Sequence, residues 1–103
     1  MGFHRLDPLF QPGRLLVSPG VLDSAIEYQR YLRRHLAGDW GDVCEDDEWE
    51  NRRAVDTDEA VLSQYCITLS GGDTTNLCIM TEAGRIHTVV FFLNESFLLH
   101  ENP

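Results

Sequence analysis

Two histidines and two arginines carry most of the acid–base chemistry this chain has to offer. His35 lies four residues before Asp39 at the end of a predicted helix, and His87 follows Arg85 by two residues on a predicted strand. If the last hairpin folds back onto the first helices, a His, Arg and carboxylate cluster forms, in which His87, Arg85 and Arg34 serve as general acid, base or phosphate clamp. That set suits a small ribonuclease of the RelE-like toxin type, and it makes His35, Arg85 and His87 the catalytic candidates. A plainer reading needs no chemistry: His35 and Arg34 act as cations at the negative end of a helix dipole, and Trp40 plugs the sheet edge. Ser63 and Ser70 have no base beside them in sequence, and no GxGxxG, P-loop or GxSxG run is present. His4, His35, Cys44 and Asp47 have no recognised ligand spacing, so neither a metal nor a cofactor is expected.

Charge argues for a different kind of activity. Residues 1–38 carry three acids against five Arg, residues 39–59 carry ten acids against two Arg, and residues 60–103 carry four against one, for a net charge of −9. Almost the whole charge therefore sits on one short segment. All eight basic residues are Arg, and no basic stripe with interleaved aromatics is present, so direct binding of nucleic acid is not expected. A ribonuclease of this size needs a basic surface for its substrate, which weighs against the enzyme reading. An acidic surface instead suits a basic protein partner, whose encounter it accelerates, or a partner surface that otherwise holds nucleic acid. The binding candidates are Trp40 and the carboxylates Glu45, Asp46, Asp47 and Glu48. The same block also has a structural explanation, because carboxylates crowd the first turn of a predicted helix where its dipole favours them.

The elements that position these residues can be read from periodicity. Pro8, Pro12 and Gly13 break up an irregular arm over residues 1–13, which Phe3, Leu6, Leu9 and Phe10 pin to the body. Arg14 to Val17 reads as a short extended piece. Ser18-Pro19 is a helix start, with a hydroxyl N-cap and Pro at the first helical position. One helix or two in series then run to Gly38, with a stripe through Leu22, Ile26, Leu32 and Leu36 that is imperfect only at Gln29. Gly38-Asp39-Trp40-Gly41-Asp42 is a turn framed by two glycines suited to positive φ, and Asp42 or Cys44 leads into a third helix, roughly Glu45 to Ala54. From Val61 the period changes to two. Strands at Val61–Leu69, Thr75–Thr81 and Ile86–Leu93 are separated by Ser70-Gly71-Gly72-Asp73 and Glu82-Ala83-Gly84-Arg85 and make an antiparallel meander.

The run His35-Leu36-Ala37-Gly38-Asp39-Trp40-Gly41-Asp42, together with Asn51, Leu62-Ser63-Gln64-Tyr65, Ile79-Met80-Thr81-Glu82-Ala83 and Thr88-Val89-Val90, resembles a family of small uncharacterised proteins encoded on bacterial plasmids and other mobile elements. The resemblance covers about residues 10–97. It implies a genomic context and an α+β domain, and it implies no reaction. The chain departs from the family pattern at the last hairpin, where Gly84-Arg85-Ile86 stands in place of Asp-Arg-Ser, and in a shorter connection between the first helices.

Together these readings predict one α+β domain of two or three N-terminal helices packed on a three- to four-stranded antiparallel sheet. Residues 14–60 are mainly helical, 61–97 form the meander and 98–103 a tail. Three cysteines without a CxxC spacing suggest a reducing cytoplasm, and no run approaches the length of a membrane span. The functional expectation is an acidic accessory protein acting by protein–protein interaction, with the ribonuclease as the alternative.

Overall fold

The computed structural model describes residues 8–95. Eight elements follow in order: strand β1 (Arg14–Val17), helices α1 (Pro19–Ser24), α2 (Tyr28–Leu36) and α3 (Glu45–Thr57), strands β2 (Val61–Thr68) and β3 (Thr74–Thr81), a 3-10 turn (Ala83–Arg85) and strand β4 (His87–Phe92). The four strands form one sheet in the order β1-β4-β3-β2. The fold is α+β, as the periodicity predicts, with one correction: β1 joins the sheet parallel to β4, while the other two pairings are antiparallel. Strand direction is set by the path through three helices between β1 and β2, which the short run Arg14–Val17 does not encode.

α1 begins where expected. The Ser18 hydroxyl accepts from the N–H of Val21 at 3.1 Å, and the Glu95 carboxylate accepts from the N–H of Gly20 at 2.9 Å. Glu95 also accepts from Ser18 Oγ and from the N–H of Phe92, so one carboxylate ties the end of β4 to the start of the helix. The stripe through Gln29 belongs to two helices. Ala25 turns left-handed at φ 59°, and Ser24 Oγ donates to the carbonyl of Val21, closing α1 after six residues.

β2 alternates as predicted: Val61, Ser63, Tyr65 and Ile67 are buried, and their neighbours are exposed or half-buried. Register carries this inward face across the sheet through Leu77 and Ile79 of β3 to Val90 and Phe92 of β4. Val21 of α1 packs on that face, flanked by Tyr28, Tyr31 and Leu32 of α2, which makes the main core. A second cluster joins Phe10, Trp40, Ala54 and Val61 at the β2 side. Phe10 pins the arm, whereas Leu9 stays 52% exposed; Phe3 and Leu6 lie outside the described residues, as do residues 98–103.

Other boundaries shift for local reasons. α3 runs three residues past Ala54 and ends where Asp58 adopts φ 62°. β4 is shorter than expected at both ends, with Ile86 exposed in the preceding turn and Leu93 exposed after it.

The sheet's two edges differ. In a parallel ladder alternate residues serve one neighbour, so Arg14 and Ser18 donate to β4 and the backbone groups of Leu15 and Val17 point outward. The β2 edge is closed. Asn51 of α3 donates to the carbonyl of Leu62 at 2.8 Å and accepts from its N–H at 3.1 Å. Gln64 donates to the carbonyl of Trp40 and accepts from the N–H of Asp42, and the Asp42 carboxylate takes the N–H of Cys66.

Candidate functional site

The α3 face is built from a helix that needs only a narrow apolar contact. Asn51 and Ala54 are its buried residues, so the opposite side, with Glu45, Trp49 and Arg52, is left to solvent and Glu48 lies at its margin. Glu45, Asp46 and Asp47 are exposed and Glu48 is half-buried, all in the first turn where the positive end of the dipole stabilises them. The Cys44 N-cap supplies no side-chain bond, and Asp42, the other candidate, is committed to the β2 edge. Glu48 accepts from Arg52 at 3.1 Å and Glu50 from Arg53 at 3.3 Å, surface pairs that contribute a few tenths of a kcal/mol each.

Trp40 takes the opposite position. Gly38 and Gly41 adopt φ 92° and 76°, as the turn requires, and the indole between them is 5% exposed. A binding role for Trp40 as an exposed anchor is therefore corrected. Its ring fills the space between Phe10, Ala54 and Val61, and its Nε1 is buried without a hydrogen-bond partner among the described residues. Trp49, which sequence reasoning passed over, is 60% exposed. The available signal was its position in α3, two residues before the inward Asn51.

Two open clefts flank this helix. One of about 410 Å3 is lined by Leu9, Ala37, Gly38, Trp40, Arg52 and Val55. The other, of about 210 Å3, lies among Glu45, Glu48, Trp49 and Arg52.

The catalytic candidates have separate duties. His35 is fully buried and its ring sits at the centre of a hydroxyl chain. Thr88 donates to the carbonyl of Pro12 at 2.8 Å, so its oxygen accepts from Thr81 at 2.6 Å. The Thr81 oxygen then accepts from His35 Nε2 at 2.9 Å, which leaves Nδ1 to accept from Ser63 Oγ at 2.6 Å. These partners fix a neutral ring. Burial, with the nearby Arg85 charge adding to it, holds the imidazole down to about 3. The expectation of His35 as a cation at the helix end is thus corrected. Ser63, which has nothing beside it in sequence, gains a base within hydrogen-bond reach. Yet both residues have no exposed surface, and neither cleft includes them.

Arg85 is structural in its contacts. Its guanidinium donates to the carbonyls of Ala54 and Glu59, closing the C-terminal end of α3, and lies 4.9 Å from the centre of the Phe10 ring. Phe10 in turn meets the His35 ring edge-on at 5.4 Å, so an aromatic side chain lies against both candidates. Arg34 donates to Asp39 at 2.8 Å and covers the Tyr65 ring, and this bond holds the Asp39 carboxyl below the usual carboxylate range. His87 is within 2.7 Å of Glu82. The hairpin therefore does approach α2 through Thr81 and Thr88, but His87 and Arg34 face other partners. Among the described residues no three His, Cys, Asp or Glu side chains gather as a ligand set, and no helix is long and apolar enough to cross a membrane.

No family model, curated protein or solved structure matches this chain.

Proposed function

We propose that this protein works by binding another protein through the acidic face of α3, as an accessory factor in the mobile-element setting that its sequence resemblance implies. The observation that supports the reading most is the exposure of Glu45, Asp46 and Asp47 around a 60% exposed Trp49 on a helix whose buried residues are Asn51 and Ala54. Six carboxylates on α3 against Arg52 and Arg53 give the helix a field that attracts basic surfaces and repels nucleic acid. A partner with a basic surface, including one that otherwise holds nucleic acid, fits this charge.

The test is capture from a bacterial lysate at low and at high salt, using the intact chain and a variant with Glu45, Asp46, Asp47 and Glu48 all changed to Lys. The reading expects a basic protein retained by the parent at low salt, released at high salt and lost by the variant. Retention that survives both salt and charge reversal would refute it.

A further inference from the structure

We infer that the two clefts along α3 form one docking groove for a basic amphipathic helix of the partner, with an apolar anchor seated in the larger cleft and a Lys or Arg seated beside Trp49. The inference rests on the protein-binding reading above and adds the site, the occupant and its spacing.

The clefts share Arg52 as a common wall. The α3 residues that line them, Glu45, Glu48, Trp49, Arg52 and Val55, fall at helical spacing and so make one continuous stripe. The two ends differ in chemistry. Leu9, Val55 and the Trp40 ring give the larger cleft apolar walls, and Leu9 is left 52% exposed there. Glu45, Glu48 and the indole of Trp49 give the smaller cleft two carboxylates and an aromatic face, the groups that attract a cation. Arg53 lies 5.7 Å from that indole and Arg52 pairs with Glu48, exposed contacts that an incoming cation exchanges with its own.

A helix is the occupant because of the backbone. An extended segment that added as a strand would need a free sheet edge, and on this side the β2 edge is taken up by Asn51, Gly41 and Asp42. A helix satisfies its own backbone and meets the groove with side chains alone. Val55 and Glu48 are seven positions apart on α3, about 10 Å along its axis, which matches an apolar residue and a cation at i and i+7 of the incoming helix.

The experiment is selection of a displayed library of 20-residue helical peptides on the full chain, followed by affinity measurement of the enriched peptides in solution. Enriched sequences are expected to place Leu, Ile or Met seven positions from Lys or Arg. Their affinity should fall at least tenfold in Trp49→Ala, in the double variant Glu45→Gln/Glu48→Gln, and in Leu9→Asp. All these positions are on the surface, and circular dichroism of each variant confirms the fold. Peptides that bind but respond to Arg30→Glu/Arg33→Glu rather than to the α3 variants would overturn the groove and leave a protein-binding function standing. A library that yields no binder, with no salt-sensitive protein captured from lysate, would overturn both. Concentration-dependent self-association abolished by Glu45→Gln/Glu48→Gln would make a second copy the occupant and overturn the foreign helix.

Discussion

Two tryptophans nine residues apart have opposite fates, and the difference shows what makes an aromatic residue structural or available. Trp40 sits between two glycines whose left-handed backbone throws its ring back against Val61 and Ala54, and it is 5% exposed. Trp49 sits on a helix whose inward stripe is already filled by Asn51 and Ala54, and it is 60% exposed. One ring closes the seam between helix and sheet edge. The other stands among carboxylates, where it adds contact area to a charged surface.

That contrast is broken most directly by truncating each ring. Trp40→Ala should lower stability by ~3–5 kcal/mol, as loss of a buried aromatic does, and chemical denaturation measures it. Trp49→Ala, by contrast, should leave the denaturation midpoint within about 0.5 kcal/mol of the parent. Equal losses at the two sites would mean that Trp49 is packed in solution.

The buried histidine gives the next largest effect. The folded ring stays neutral while the unfolded ring protonates near 6.5, so between that value and about 3 the unfolded state binds more protons. Stability contributed by His35 is complete above pH 6.5 and declines as pH falls toward 3, by on the order of 5 kcal/mol at the limit. Nitrogen NMR of the ring checks this: Nδ1 should remain an unprotonated acceptor from pH 8 down to pH 5, and protonation near pH 6.5 would contradict the hydroxyl chain.

Smaller effects sharpen the role of the Trp40 turn. A methyl on Gly41 would run into the carbonyl oxygen of Gln64 while holding φ at 76°, so Gly41→Ala should cost roughly 2 kcal/mol or more. Gly71 has open space around it and no positive φ, and Gly71→Ala should be close to neutral by the same thermal or denaturant assay.

Local patterns carried most of the fold. The Ser18-Pro19 helix start, the alternation of Val61 to Thr68 and the glycine frame of Trp40 depend on neighbours a few residues away, and each is where the periodicity puts it. The parallel pairing of β1 depends on contacts more than 70 residues distant, and the break at Ala25 depends on a Ser24 hydroxyl bond that competes with helix continuation. The candidate site divides in the same way. The carboxylates crowding the first turn of α3 were legible from charge and period, whereas their exposure was not, and neither were the duties of His35, because Ser63 and Thr81 stand 28 and 46 residues away. The remaining signal was the hydroxyl residue at an inward position on each of three strands, Ser63, Thr81 and Thr88, which leaves polar atoms in a core that must find a partner.

The claim that the acidic face of α3 is a recognition surface is tested most directly by the association rate of a captured basic partner as a function of sodium chloride concentration. The account predicts a rate that falls steeply as salt rises for the parent chain, and a slower, nearly salt-independent rate once Glu45, Asp46, Asp47 and Glu48 are changed to Lys. A rate unmoved by salt and by the reversal would contradict it and leave those carboxylates as helix-stabilising and solubility residues.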